Sequence, residues 1–402
     1  MKTYKERPIY IEKLKPFINK DVIKVLIGQR RVGKSYILLE LIDYIKQHFK
    51  AKQAQIIYIN KELFEFDSIT DYQKLIEYVN NKIKTKEKYY LFIDEIQDIE
   101  NFEKALRHFQ AQNNFDVYCT GSNAKLLSSE LATYISGRYI EFEVYPLSYA
   151  EFLLFHNLGN SQEAFHKYLK WGGLPYLINL QLNDEVVYQY LKSVYNSIIL
   201  KDIVARYAVR NVNLLDRLII YVANNIGNII SAHKIGGFLN TQRLKISPSV
   251  VLNYLSYLNA VFFLNKIQRI DLQGKKIFEI GEKYYFTDLG IRHSLIGFKQ
   301  RDIGKILENI VFLHLKICGY RIFVGQDYPR EIDFVCEKNQ KKVYIQVAYL
   351  LTEDKTKARE FGNLLQIKDN YEKIVVSADE LPPSNNQGIQ HFNIRDFLLN
   401  FT

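Results

Sequence analysis

The chain has 402 residues, 48% of them hydrophobic, with 19 glycines and 8 prolines; this excludes a disordered or low-complexity protein and exceeds one ordinary domain. Lys and Arg exceed Asp and Glu by 10, a surplus that favours a polyanionic partner without requiring one. Cys119, Cys318 and Cys336 lie far apart, with no metal-ligand spacing, which predicts a reducing cytosol and three inert, buried thiols.

In chain order, the opening MKTYKERPIYIEKLK is charged and lacks the apolar core of a secretory signal. Val22 to Ile27 then reads as a buried parallel strand. Gly28-Gln29-Arg30-Arg31-Val32-Gly33-Lys34-Ser35 fits G-x-x-x-x-G-K-[ST], and from Tyr36 apolar residues recur at helical spacing through Ile45. Strand before and helix after is the context that makes this pattern a phosphate-binding loop. Residues 28–36 are therefore the expected nucleotide cradle. Its glycines let backbone N–H groups curl inward, and the helix adds its positive end. Lys34 is expected on the β- and γ-phosphates, with Ser35 on Mg²⁺.

Gln55–Asn60 is a strand candidate and Asp71–Lys84 a helix. Tyr89-Tyr-Leu-Phe-Ile-Asp94-Glu95 is an apolar run that closes on two carboxylates. Asp94 is the expected Mg²⁺ partner, and Glu95 the base that orients and polarises the attacking water. Phe115–Thr120 reads as a third strand leading to Ser122 and Asn123, either of which senses a γ-phosphate or caps the next helix. Arg138, just before the strand Tyr139–Val144, is a candidate to stabilise phosphoryl-transfer charge, in its own chain or a neighbour's; a surface salt bridge is the plainer alternative.

The segments RRVGKS, YYLFIDEIQ, TGSNAKLLSSELATYISGRY and YPLSYAEFL, followed by WGGLP, KDIVAR, KYYFTDLGIR, LENIVF, EIDFV and YIQVAYLL, resemble in order a large group of bacterial and archaeal AAA-type ATPases. Members carry a C-terminal domain of uncharacterised function with a restriction-endonuclease-like core. The resemblance spans almost the whole chain. It implies that Gly33, Lys34 and Ser35 bind ATP, that Asp94 and Glu95 serve its hydrolysis, and that Arg138 takes part.

From Ala150 to about Arg210 the pattern is helical and looks like the lid that follows such a core, with Gly172, Gly173 and Pro175 as turn chemistry. Ile246 to Asn265 carries no charge, but Pro248, Asn253 and Asn259 interrupt it, so it reads as a buried soluble helix rather than a membrane span. A helix from Ser231, a turn, a helix from Pro248, and the strand-like runs Phe262–Asp271 and Lys276–Phe286 follow winged-helix logic. Ser231 to Tyr285 holds eight Lys and Arg against three Asp and Glu. Lys234, Arg243, Lys245, Lys275 and Lys276 are candidate DNA-phosphate contacts. The presumed recognition helix has no basic residue and offers Ser247, Ser249 and Asn253 to base edges, so use of this module for packing is the competing reading.

A helix holding Glu308, the strands Tyr320–Val324, Glu331–Cys336 and Lys342–Leu350, and a helix near Thr356 match the order of a PD-(D/E)XK nuclease core. Asp333 fills the first acidic place. Gln346 and Ala348 stand where an acid and a lysine are needed to hold Mg²⁺ and position water, so cutting is not expected. Glu308 and Asp333 then serve structure or a weakened site.

The sequence thus predicts an α/β P-loop domain with a parallel sheet (1–148), a helical lid (149–210), a winged-helix domain (211–295) and an inactive restriction-endonuclease-like α/β domain (296–402). The expected function is a cytoplasmic, Mg²⁺-dependent ATPase whose state gates contact with nucleic acid or a protein, with no membrane partner. Alternatives are a nucleotide-gated binding module with negligible turnover and an ATP-driven nuclease. Oligomeric state is open.

Overall fold

A computed structural model describes residues 4–123, 137–241, 246–274, 277, 281–327, 330–351, 354–380 and 384–402. It divides into two compact units, Met1–Val144 with Ala260–Phe262, and Tyr145–Asn259 with Phe263–Thr402.

The first unit holds a five-stranded parallel sheet of β1 (Ile23–Ile27), β2 (Ile56–Asn60), β3 (Tyr89–Asp94), β4 (Phe115–Gly121) and β5 (Tyr139–Glu143), in the order β2-β3-β4-β1-β5. β1, β3 and β4 are buried along their length, as expected of strands covered on both faces. Helices α1 (Pro8–Leu14), α2 (Lys34–Phe49), α3 (Tyr72–Lys82) and α4 (Phe102–Ala111) accompany them. Asp71 starts α3 by accepting the N–H groups of Gln73 and Lys74. The core joins Val25, Ile59, Leu91 and Ile93 of the sheet to Leu75, Leu106 and Phe109 of the helices. Lys24 interrupts the apolar face of β1 and is fully buried. Its ammonium pairs with Asp116, which also accepts from Tyr118 and from the Asn19 N–H, so the charge is matched inside the sheet.

Register fixes the functional edge. Ile27 pairs with Gly121 and Asn60 with Asp94, so β1, β3 and β4 end together, with the turn after β1, Asp94 and Ser122 on one side. That is where open α/β sheets bind ligands.

The second unit opens with α5 (Tyr149–His156), α6 (Gln162–Trp171) and α7 (Asp184–Ser197), continued as a π-type stretch Ile198–Ala205 and followed by α8 (Val212–Asn224). β6 (Ile229–Ile230), α9 (Ala232–Thr241), α10 (Pro248–Ala260), β7 (Leu264–Ile267), β8 (Arg269–Asp271) and β9 (Glu282–Phe286) come next. β6, β9 and β7 form a three-stranded sheet, whereas β8 leaves it and pairs in parallel with β10 (Arg321–Asp327). The single run Phe262–Asp271 is therefore two strands serving two sheets.

After α11 (Leu289–Ile296) and α12 (Ile303–Ile317), β10 joins β11 (Arg330–Lys338), β12 (Lys341–Val347), β13 (Glu372–Ser377), β14 (Ser384–Asn386) and β15 (Ile389–Asn393) in a seven-stranded sheet with β8. Its order is β14-β15-β13-β12-β11-β10-β8; α13 (Asp354–Leu365) links β12 to β13, and α14 (Ile394–Asn400) ends the unit.

Gly172 and Gly173 act as turn chemistry. Gly172 has φ +76°, and a Cβ there would lie 2.5 Å from the Asp288 carboxylate, which accepts the Gly173 N–H at 2.8 Å and caps α11 through Ile291. Burial lifts the Asp288 carboxyl to about 6 against those hydrogen bonds. Among the described residues no helix is long and apolar enough to cross a membrane. Cys119 and Cys336 are buried free thiols, while Cys318 is only half-buried.

Candidate active site

The turn after β1 is shaped by steric exclusion. A Cβ on Gly28 (φ +149°) would stand 2.3 Å from the Val144 carbonyl oxygen, so no other residue fits. Arg31 (φ +72°) and Gly33 (φ +96°) are left-handed, and α2 starts at Lys34 with no side-chain cap and no acid in its first turn. Its leading N–H groups thus remain available to an anion. From below, the Val32 carbonyl accepts the buried Arg7 guanidinium at 2.9 Å, and Glu40 accepts the Arg7 N–H at 2.9 Å.

Lys34 is buried, with its Nζ 2.9 Å from the Gly28 carbonyl, 3.0 Å from that of Gln29 and 3.8 Å from Glu95 Oε1. Arg30, also buried, reaches Glu62 at 3.2 Å. Arg31 and Tyr36 are exposed.

Asp94 ends β3, receives the Thr120 hydroxyl on Oδ1, and accepts from Tyr58 at 3.3 Å. Burial raises its carboxyl above the usual range, against hydrogen bonds from Ser35 and Thr120. A cation beside Asp94 would reverse that shift. Glu95 behaves differently. Burial alone would raise it too, but Lys34 and Arg30 outweigh burial, helped by Gln97 and Ser122, and hold it below its ordinary value. Its backbone is left-handed (φ +55°), and its N–H donates to Thr120 Oγ1 at 2.9 Å. Gln97 Nε2 donates to Glu95 Oε2 and lies 3.5 Å from Ser122 Oγ.

Lys34, Ser35, Asp94, Glu95 and Ser122 therefore converge; Asn123 follows, buried. Thr120, Gln97, Tyr58 and Arg7 belong to the same constellation and were not foreseen. Thr120 reaches the site because β4 pairs with β3 there, Ile93 opposite Cys119. Arg138 does not join it. It is exposed and precedes β5, where Tyr139 pairs with Ile23, the first residue of β1. Five strand residues at about 3.3 Å each place it roughly 16 Å from the loop after β1, beyond the reach of its own side chain. Action on the nucleotide of its own chain is ruled out by that placement.

Whether Mg²⁺ and a nucleotide suit these residues is tested by Gln29. It is 1% exposed, and neither its Nε2 nor its Oε1 has a hydrogen-bond partner, a condition costing about 1–3 kcal/mol unless a ligand satisfies it. Ser35, Asp94 and Thr120 offer hard oxygens, the donor type Mg²⁺ prefers. The residues fit.

The C-terminal acids form a second cluster. The Lys283 Nζ, from β9, lies 2.8 Å from Glu308 of α12, 2.8 Å from Glu331 and 3.8 Å from Asp333, both of β11. Lys305 meets the other Glu308 oxygen at 2.7 Å, and the Tyr285 hydroxyl donates to Glu308. Gln346 Oε1 accepts the Asp333 N–H at 3.2 Å, and Ala348 packs in the apolar core beneath the sheet.

The basic surplus near β6–β9 shrinks in three dimensions. Lys283 is internal, Lys266 pairs with Glu282 at 2.9 Å, and Arg269 donates to Gln326. Lys234 is exposed, as are Ser247, Ser249 and Asn253, whereas Arg243, Lys245, Lys275 and Lys276 lie outside the described residues.

A five-stranded parallel sheet whose central β1 feeds a glycine turn, a lysine and a helix, opposite an Asp-Glu strand end, defines a P-loop nucleotide-binding domain. Residues 20–153 match the AAA domain, and residues 162–302 match a domain of unknown function, DUF8612. An uncharacterised protein of Haemophilus influenzae is 36% identical over 399 residues, covering 98% of each chain. One from Methanocaldococcus jannaschii is 32% identical over 366 residues, covering 85% of this chain and 80% of that one. The structure of a Walker-type ATPase of Pyrococcus abyssi aligns at 16% identity and a TM-score of 0.49, over 71% of this chain and 93% of that one. The chain belongs to the same family as these bacterial and archaeal relatives, and its first part carries the AAA domain.

Proposed function

We propose that the chain is a Mg²⁺-dependent ATPase of the AAA type whose nucleotide state gates contact with a nucleic acid or a protein partner in the cytoplasm. The observation that carries this reading is Glu95, a buried carboxylate kept ionised by Lys34 and Arg30 and set next to Asp94. ATP, when bound, supplies the phosphoryl group that is transferred to water.

Lys34 offers its ammonium to phosphate oxygens, and the uncapped start of α2 offers N–H groups. Ser35 and Asp94 hold Mg²⁺. Glu95 orients water and accepts its proton on the carboxylate, with Gln97 fixing Oε2 and the left-handed backbone fixing the direction of the side chain. Ser122, linked to Gln97, would extend that network to a bound phosphate. Arg138 acts, where it acts, on a neighbouring chain's nucleotide.

The second unit is read as three modules: a helical lid, a winged helix formed by α9, α10 and the β6-β9-β7 sheet, and a nuclease-like α/β domain from α12 onwards. The order α12, β10, β11, β12, α13, β13 supports the last. Gln346 holds a backbone N–H and Ala348 is apolar, so this domain is assigned binding without cutting.

Phosphate release from ATP with Mg²⁺ tests the proposal. Glu95→Gln is expected to lower turnover about 10²–10⁴-fold while ATP still binds. Lys34→Ala is expected to remove binding. A wild-type chain that releases no phosphate, or a Glu95→Gln variant as fast as wild type, overturns it. Stimulation by DNA that fades steeply with salt would identify a nucleic-acid partner.

A further inference from the structure

Away from the nucleotide loop, a cleft of about 910 Å³ opens against the seven-stranded sheet. Glu308, Glu331, Asp333 and Glu360 face it, with Arg301, Arg330 and Arg359 also on its walls. Acids grouped in this way around a nuclease-like sheet invite a divalent cation. A cation is already there, and it belongs to the protein.

Lys283 is 1% exposed on β9 of the three-stranded sheet, yet its ammonium is shared among carboxylates of α12 and β11. Three carboxylates face Lys283 and Lys305, which leaves one negative charge over. Further hydrogen bonds hold two of these acids. Tyr285 donates to Glu308, and the Val347 N–H donates to Asp333 Oδ2 at 2.9 Å. A second buried acid in the same cleft also has an internal cation. Glu360 is 3% exposed and its Oε2 has no hydrogen-bond partner, although Oε1 meets Arg359.

We infer that Lys283 is a built-in counter-ion standing where a divalent cation would otherwise sit among Glu308, Glu331 and Asp333, so that β9 is latched to the sheet domain and the cleft is closed to metal. The carboxylates lie 2.8 to 3.8 Å from the ammonium, wider than the 2.0–2.6 Å that Mg²⁺ or Ca²⁺ demands. Among the described residues no three His, Cys, Asp or Glu are disposed to hold a metal ion, as a cage spread around an ammonium requires. Taking Lys283 away exposes three acids to one another with Lys305 as the remaining ammonium. Such a cluster must then take up protons or a divalent cation.

The inference is independent of the ATPase reading, and nucleotide-free full-length chain tests it. Bound Mn²⁺ is counted by electron paramagnetic resonance for wild type, Asp333→Asn, Lys283→Met and the double variant. Lys283→Met is expected to bind one Mn²⁺ more than wild type and to lose it again in the double variant, while Asp333→Asn alone leaves the wild-type count unchanged. Melting gives a second readout: Lys283→Met melts below wild type in EDTA and regains several degrees in Mn²⁺, more than wild type gains. Should the variant be recovered unfolded, refolding in Mn²⁺ against EDTA decides, with native circular dichroism restored only by metal. A wild-type count that drops with Asp333→Asn, or a Lys283→Met chain that gains no ion and no metal rescue, overturns the inference.

Discussion

Two lysines in this molecule face carboxylates, and they do so in opposite ways. At the nucleotide loop, Lys34 rests on two carbonyl oxygens and stays 3.8 Å from Glu95, while neighbouring Gln29 is buried with its amide unmatched. In the second unit, Lys283 is within 2.8 Å of two carboxylates, and a tyrosine and a backbone N–H complete the shell. The first site keeps polar capacity in hand for something that arrives. The second has matched most of its charge internally. A site built for a ligand is recognisable by what its buried groups leave unmatched, more than by which residue types it contains.

The largest break in that comparison is expected at Glu95. Glu95→Gln keeps size and hydrogen bonding but removes the proton acceptor, and a loss of about 10²–10⁴-fold in phosphate release is expected with little change in melting temperature. Equal rates would move the chemistry elsewhere. Lys283→Met should do the reverse, costing about 3–5 kcal/mol in urea unfolding, since it strands buried carboxylates. Lys34→Met in nucleotide-free protein should cost far less, because Arg30 still faces Glu95. Similar costs for the two lysines would mean that the sites are not different in kind. A smaller effect follows at Thr120, which donates to Asp94 and accepts from the Glu95 N–H. Thr120→Val leaves both unmatched, for an expected loss of about 1–3 kcal/mol together with weaker Mg²⁺ dependence of turnover.

The nucleotide loop was legible because its chemistry is contiguous: Gly28 to Ser35 must be neighbours in sequence to curl around one anion. The Asp94-Glu95 strand end was legible for the same reason. Thr120 was not, because its place depends on the pairing of Ile93 with Cys119 across two strands. Whether Arg138 serves its own chain or a neighbour's was not legible, because that depends on the direction of the strand it precedes. A residue before a parallel strand sits on the edge away from the ligand. Lys283 was only one of eight basic residues counted over Ser231 to Tyr285, since a charge count carries no direction. Only the pairing of β9 with β6 and β7, and the packing of α12 and β11 around it, turns that side chain inward. The strand run Phe262–Asp271 hid its break in the same way: Gln268 gives its carbonyl to Val324, and β8 departs to the other sheet.

A dependence on pH sharpens the contrast further, because it sets two acids of one cluster against each other. Asp333 is lifted from an ordinary 3.8 to about 7, so the folded chain holds a proton that the unfolded chain releases between those values. Its contribution to stability is full below about pH 4 and is lost as pH rises through about 7. Asparagine has no such proton. The stability of Asp333→Asn relative to wild type should therefore improve from pH 4 to 7, with a slope of at most about 1.4 kcal/mol per pH unit for a single proton. Glu308 is depressed instead: burial would raise it, but Lys283 and Lys305 outweigh burial. Its contribution is present above its ordinary value and lost as pH falls, so Glu308→Gln should give a relative slope of the opposite sign, losing ground as pH rises. Urea midpoints of wild type against Asp333→Asn from pH 4 to 7, and against Glu308→Gln below about pH 4.5, measure the two slopes. Parallel slopes would mean that one ammonium does not divide its charge unequally between the two acids, and the cage would then be looser and wetter than its burial implies.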